Sequence, residues 1–311
     1  MTRTVFIDGA AGTTGLEIAD RLAKRPEFTL ATLDEARRKE TAARRDALNQ
    51  ADFAILCLPD DAAREAVALI DPASNVRVID ASSAHRVSPD WTFGFPEVVG
   101  RQAVAEARRV SNPGCYSTGF IALLAPLVRE GLLPADWPYT CHAVSGYSGG
   151  GKSLIGRFQD DPDIAWRGYA LNLGHKHVPE MRAYAGLTRD PLFSPAVVPA
   201  HRGMVVEVPL PLASMTGAAA PNDLRACLAS FYADSAVVRM AGEADGELLL
   251  RRSREPSDAM ELHVFASTDG SQARLVAMLD NLGKGASGAA VQSLNLMAGL
   301  PEAAGLRLPS L

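Results

Sequence analysis

The sequence predicts an α/β fold in two parts: a parallel sheet covered by helices on both faces, then an α+β domain built on a mixed sheet. Three observations carry this. The first third of the chain alternates short apolar runs with helix-period segments, and strands that are apolar throughout belong to sheets buried on both faces. A glycine-rich stretch separates the first strand from the first helix. After Cys115 the rhythm changes to longer strands, as expected of a mixed sheet.

Val5 to Asp8 reads as the first strand. Gly9-Ala10-Ala11-Gly12-Thr13-Thr14-Gly15 follows, and Leu16, Ala19, Leu22 and Ala23 then share one helical face. Phe28 to Thr32 is a second strand and Ala54 to Leu58 a third. Asp60 to Ile70 is a helix opened by aspartates, the charge that a helix N-terminus favours. Arg77 to Asp80 and Arg109 to Ser111 complete the parallel set. Beyond Cys115, Tyr116 to Glu130 is an apolar helix. Thr140 to Ser145, Gly203 to Leu210 and Glu261 to Ala266 are strands of the second sheet, and Lys284 to Met297 is a small-residue helix.

A chain of 311 residues suits two domains better than one. The expected division is 1–114 with 283–311, and 115–282. A net charge of −5 gives no general attraction to nucleic acid or anionic lipid, so neither is expected as a partner. The longest apolar stretch, near Phe120 to Val128, is too short to span a bilayer. The N-terminal residues run straight into a strand, without the apolar region of a signal peptide. Cys57, Cys115, Cys141 and Cys227 are far apart, with no CxxC pair. That pattern fits free thiols in a reducing compartment, and a cytoplasmic location is expected.

The order strand, GAAGTTG, helix, strand is that of a Rossmann-like dinucleotide site. Glycines let the backbone turn tightly and approach a pyrophosphate, and the helix start offers free N–H groups. Gly9, Gly12, Thr13, Thr14 and Gly15 are the candidate cofactor residues. Past the second strand, Asp34 suits a ribose hydroxyl, whereas Arg37, Arg38 and Lys39 suit a 2′-phosphate; a solvated helix face explains those charges almost as well. Gly146 to Ser153 (GYSGGGKS) fits the P-loop pattern of nucleoside triphosphatases. It lies mid-chain, however, with no downstream strand ending in a magnesium-binding aspartate, and reads instead as a glycine-rich loop lining the site.

In Ser111-Asn112-Pro113-Gly114-Cys115-Tyr116-Ser117-Thr118-Gly119, a strand ends, a Pro-Gly turn intervenes and a helix begins at the cysteine. A helix N-terminus favours thiolate, a strong nucleophile toward acyl carbon. The usual fate of a cysteine, a small buried hydrophobe, suits the other three better. In Tyr169-Ala170-Leu171-Asn172-Leu173-Gly174-His175-Lys176-His177-Val178-Pro179-Glu180, a histidine offers the acid–base group that thioester chemistry needs. Strand-like alternation would send His175 and His177 to opposite faces. The pair with Glu180 could be a metal set, but no third, separated ligand is evident; no metal is expected. Arg86 and Arg202 are candidates to clamp phosphate or carboxylate through paired hydrogen bonds.

Together GAAGTTGLEI, DASSAHR, FGFPE (Phe93 to Glu97) and above all SNPGCYSTG resemble the N-acetyl-gamma-glutamyl-phosphate reductases, in their short, type 2 form, over essentially the whole chain. The resemblance implies an NADP-dependent oxidoreductase of arginine biosynthesis, a homo-oligomer (dimer or tetramer) acting on a small acyl phosphate. It implies Cys115 as nucleophile and His175 as general base or acid. Tyr169, His177, Glu180, Arg86 and Arg202 become substrate-site residues, and Ser82, Gly149 and Asn281 join the cofactor residues, with Asn281 or Lys284 near the nicotinamide. An aspartate-semialdehyde dehydrogenase-like reductase of a related acyl phosphate is the alternative. A cysteine hydrolase or a non-catalytic NADP-binding sensor on the same fold also remains open.

Overall fold

A computed structural model describes residues 2–34, 36–242 and 246–309. The chain forms two compact units. One runs through Pro113 and takes up Ala286–Leu306; the other spans Gly114–Gly285 and takes up the segment from Arg307 onward. The units thus differ from the expected division by a residue or a few at each boundary, and the segment from Arg307 falls in the second unit.

The first unit contains β1 (Arg3–Asp8), α1 (Thr13–Leu22), β2 (Phe28–Ala31), α2 (Thr41–Gln50), β3 (Phe53–Leu56), α3 (Asp60–Ala68), β4 (Arg77–Asp80), β5 (Thr92–Phe93), α4 (Pro96–Val99), α5 (Arg101–Glu106) and β6 (Arg109–Ser111). Its six strands lie in the order β2-β1-β3-β4-β6-β5, and every pairing is parallel. Alternate residues of one apolar run feed two cores. Val5, Ile7 and Ile55 pack with Ile18, Ile79 and Val110 on one side. Phe6, Ala54 and Leu56 pack with Leu48, Val78 and Trp91 on the other. This is why the strands are apolar throughout. The chain leaves β1 toward β2 on one side, and β3 lies on the other. That reversal places a crevice at the strands' carboxyl ends, where such sheets bind ligands.

The second unit contains α6 (Cys115–Arg129), β7 (Thr140–Gly146), α7 (Gly151–Asp160), β8 (Arg167–Gly168), α8 (Val178–Ala185), β9 (Leu192–Val198), β10 (Met204–Leu210), α9 (Pro221–Phe231), β11 (Val238–Met240), β12 (Met260–Ala266) and β13 (Ala273–Leu279). Its seven-stranded sheet has the order β11-β12-β13-β10-β7-β9-β8. β7 with β9 and β11 with β12 are parallel; the other pairs are antiparallel, so the sheet is mixed. Every residue of α6 from Tyr116 to Leu127 is buried, as a helix apolar all round must be. A Cβ on Gly119 would stand 2.8 Å from Val206, so the glycine lets α6 sit directly on β10. A π-helical turn, Gly283–Ser287, precedes α10 (Gly288–Met297), which belongs to the first unit. The segment expected as one helix from Lys284 is therefore split. Among the described residues no helix is long and apolar enough to cross a membrane.

Candidate active site

In the first unit the glycine loop caps β1. Gly9 has φ +87°, and a Cβ there would lie 2.3 Å from the Cys57 carbonyl oxygen, so only glycine fits. Gly12 precedes α1 and bonds its N–H to the Gly9 carbonyl at 3.0 Å. A Cβ on Gly12 would meet nothing closer than 3.5 Å, whereas one on Gly15 would stand 2.6 Å from the Gly9 oxygen. Gly15 therefore sets close packing within the turn, while Gly12 keeps the surface above it bare. Thr13 and Thr14 open α1, which has no side-chain cap. The amides of Thr13, Thr14 and Gly15 have no partner among the described residues. Such a helix start fits a pyrophosphate. Asp8, at the end of β1, is tied by Arg44 through two nitrogens at 3.0 and 2.9 Å, which fixes α2 beside the loop.

The loop after β4 is knotted around a buried carboxylate. Asp80 accepts from the Ser82 amide at 2.9 Å, the Ser82 hydroxyl at 2.7 Å and His85 Nδ1 at 2.6 Å. His85 stacks on Trp91 at 4.3 Å. Both polar groups of Ser82 thus serve the loop itself. Arg86, buried next door, donates from Nε to the Asn112 carbonyl at 3.1 Å. Neither Asp80 nor His85 stood out in the sequence, because their pairing appears only when the loop folds back.

In the second unit Cys115 is the first residue of α6 and is partly exposed. The Gly114 amide just before it donates to Glu180 Oε2 at 3.2 Å, and Glu180 is buried in α8. Residues 175–177 are not a strand. They turn into α8, whose first turn carries Pro179. The His175 and His177 rings therefore lie on the same side, 4.5 Å apart at 84°, and stand 6.0 and 5.9 Å from the Tyr116 ring. The expected alternation fails because proline with glutamate directly behind it starts a helix here. Tyr169 contacts His175 at 5.5 Å. Burial pushes its hydroxyl up to about 12; the Tyr116 hydroxyl within hydrogen-bonding reach and Arg167 oppose the shift, and Cys115 adds to it. Tyr116, also pushed well up by burial and then by Tyr169 and Cys115, donates to the Ala196 carbonyl at 2.9 Å. A Cβ on Gly285 would sit 2.8 Å from the Cys115 Cβ. Tyr116 and Gly285 are candidate site residues, beside Cys115, that sequence reasoning missed. The glycine gave no local signal, and the tyrosine read only as part of the cysteine motif.

Asn281 bridges two segments, donating to the Ser148 hydroxyl at 2.9 Å and accepting from the Gly203 amide at 2.9 Å. Gly149 lies in the 3₁₀ turn Tyr147–Gly150 beside it. The amides of Gly146, Tyr147 and Ser148 are spent on the carbonyls of Gly203, Ala200 and His201. These three amides cannot cradle phosphates, which counts against the P-loop alternative. Arg202 donates to the buried carboxylate of Asp280 at 2.9 Å. Lys284 is buried. Among the described residues no group of three or more histidine, cysteine, aspartate or glutamate side chains is placed to hold a metal.

Comparison with known proteins agrees with this division. Residues 4–107 match the semialdehyde dehydrogenase NAD-binding domain, and residues 115–281 match the semialdehyde dehydrogenase dimerisation domain. The first unit is thus a nicotinamide-dinucleotide-binding unit. An N-acetyl-gamma-glutamyl-phosphate reductase of Burkholderia cenocepacia is 51% identical, covering 97% of this chain and 99% of its own. One from Brucella ovis is 48% identical over 96% and 100%. Among solved structures, aspartate semialdehyde dehydrogenase II of Vibrio cholerae superposes with a TM-score of 0.68 at 18% identity, over 96% of this chain and 99% of its own. The Candida albicans aspartate semialdehyde dehydrogenase with NADP gives 0.66 at 16%, over 96% and 98%. At such identity these two speak for the fold alone. With half its residues identical along nearly the full length, this chain belongs to the N-acetyl-gamma-glutamyl-phosphate reductase family.

Proposed function

We propose that the chain reduces N-acetyl-gamma-glutamyl phosphate to N-acetylglutamate 5-semialdehyde, releasing phosphate, as the NADP-dependent step of arginine biosynthesis. The observation that carries it is Cys115 at the first turn of α6, within electrostatic reach of Tyr169, against which the His175 ring packs. The helix start favours thiolate there. The thiolate attacks the acyl carbon, the C–O bond to phosphate breaks, and a thioester remains, which splits one hard substitution into two easier steps. Bound NADPH supplies the hydride that the thioester accepts. Backbone N–H groups at the start of α6 suit the oxyanion at each step. His175 stands as general base or acid. Arg86 and Arg202 bind the anionic ends of the substrate, with Tyr169, His177 and Glu180 in support. Asp280 already neutralises Arg202 in part. Gly9, Gly12, Thr13, Thr14 and Gly15 hold the pyrophosphate, with Ser82, Gly149 and Asn281 shaping the rest of the cofactor site. The enzyme works in the cytoplasm as a homo-oligomer; the match of residues 115–281 to a dimerisation domain supports self-association.

The test runs the reaction backward. N-acetylglutamate 5-semialdehyde with NADP and phosphate is expected to generate NADPH, and aspartate semialdehyde is not. The latter is one carbon shorter and carries an ammonium that would be costly to bury unpaired. Equal or better kcat/KM for aspartate semialdehyde would reassign the chain to the alternative reductase. Cys115→Ala is expected to abolish turnover and leave NADPH binding near wild type.

A further inference from the structure

The ladder between β10 and β13 brings two opposite charges together at one end of the second sheet. Met204 pairs with Leu279 in antiparallel register. Arg202 comes just before that rung along one strand, and Asp280 just after it along the other. Antiparallel strands set such flanking residues side by side. Arg202 Nη1 donates to Asp280 Oδ2 at 2.9 Å. Gly203, with φ +104°, turns the chain into β10, and its amide donates to Asn281 Oδ1 at 2.9 Å.

Asp280 is a rigid mount. Its side chain is fully buried. Oδ2 also accepts from the Ser257 amide at 3.3 Å, and Oδ1 accepts from the Leu282 amide at 2.9 Å. The Asp280 carbonyl accepts from the amides of Gly283 and Gly285 at 3.0 and 3.1 Å. A Cβ on Gly283 would stand 1.9 Å from the Ser257 carbonyl oxygen, so the segment carrying Ser257 lies directly on this turn. Both carboxylate oxygens have donors, and the Arg202 charge offsets the cost of taking a carboxylate out of water. Backbone groups from two segments thus fix the carboxylate, and the carboxylate fixes the guanidinium. A long side chain left to many rotamers would lose that freedom on binding, at the expense of affinity. A guanidinium is a planar fork of N–H donors, so holding one nitrogen restricts the whole plane.

Resting on the proposed reaction, in which Arg202 binds an anionic end of the substrate, we infer that Asp280 is a positioning residue. It presents the Arg202 guanidinium already ordered to that anionic group. Asp280 acts through Arg202, not on the substrate itself. An asparagine there keeps the shape of the side chain. It must, however, turn its N–H2 toward Arg202 or toward the Leu282 amide, and both are donors.

The test is a double-mutant cycle in the semialdehyde-oxidising direction. Arg202→Met shows which KM depends on Arg202, that of N-acetylglutamate 5-semialdehyde or that of phosphate. Asp280→Asn is expected to raise the same KM by about tenfold, with the NADP Kd from calorimetry near wild type. In the Arg202→Met background Asp280→Asn is expected to add little, because the side chain it positions is gone. An equal rise in both backgrounds overturns the inference. So does a rise confined to the other KM, a fall in kcat alone, or wild-type kinetics in Asp280→Asn. Urea unfolding shows whether each variant is folded. Should Asp280→Asn not fold, Arg202→Lys carries the test. An ammonium held by Asp280 has no plane to present, so its KM is expected to rise as in Arg202→Met, and a wild-type KM overturns the inference. If Arg202→Met leaves both KM values at wild type, the substrate role of Arg202 fails and the inference with it. The reaction itself fails separately, if wild-type enzyme oxidises no semialdehyde or Cys115→Ala stays active.

Discussion

Four thiols with one sulfur chemistry meet four environments. Burial pushes Cys57 up to about 12, and the negative charges of Asp80 and Asp8 add to it. Burial likewise raises Cys141, with Glu207 adding, and Cys227, with Glu130 adding. Cys115 instead opens a helix at a partly exposed position. Limited alkylation at mildly acidic pH is expected to label Cys115 first, and a peptide map with Cys57, Cys141 or Cys227 labelled ahead of it would remove the nucleophile assignment. This much was legible, because turn-forming polar neighbours marked Cys115 in the sequence. The Gly114–Glu180 bond joins residues 66 positions apart, and a single sequence holds no trace of such a contact beyond what family resemblance lends.

Elements were legible in proportion to how evenly their apolar residues repeat. The central strands of the first sheet, buried on both faces, stood out as unbroken runs. α2 did not: Ala43 and Leu48 are the buried residues in TAARRDALNQ, too thin a stripe to signal a helix. The α8 start was misread as a strand although Pro179 and Glu180 at its first turn are a helix signature. The glycine loop offers the sharper experiment. Gly12→Ala meets only ordinary contacts within the protein, so its unfolding midpoint should match wild type. Its NADPH affinity should fall about tenfold or more, ~1.4 kcal/mol or beyond. Gly15→Ala, 2.6 Å from a backbone oxygen, should also destabilise the fold by ~1–3 kcal/mol. Calorimetry and urea unfolding measure both, and wild-type NADPH affinity in Gly12→Ala would move the pyrophosphate off this loop.

At the scale of the molecule, acid sensitivity is built into the second sheet. His263 on β12 is buried, and neither ring nitrogen finds a partner among the described residues. Burial lowers its pKa, opposed by Glu261 and assisted by Arg225. The folded state thus keeps the ring neutral while the unfolded chain protonates near pH 6.5. Below that value the unfolded state binds more protons, so stability present above about pH 6.5 is lost as pH falls toward the depressed folded value. His263→Phe removes two unsatisfied nitrogens and should stabilise by ~1 kcal/mol. It should also flatten the decline on the acid side. Urea midpoints from about pH 5 to 8 check this; curves that stay parallel to wild type would exonerate His263. The two-part architecture itself was legible from the change in strand rhythm after Cys115, but the path of the segment from Arg307 into the second unit was not, since nothing in so short a stretch names its neighbours.

The return of α10 to the first unit sets an order of events during synthesis. Ala290, Val291, Leu294 and Met297 of α10 fill the same core as Ile18, Ile55, Ile79 and Val104. A ribosome delivers the six parallel strands long before that helix, with the whole second unit in between. Until α10 emerges, the nascent first unit exposes an apolar trench along one face of its sheet. Chains domain by domain ordinarily fold as they appear; here the segment translated first cannot finish until nearly everything else has left the tunnel, and it is the half that a chaperone would be expected to meet.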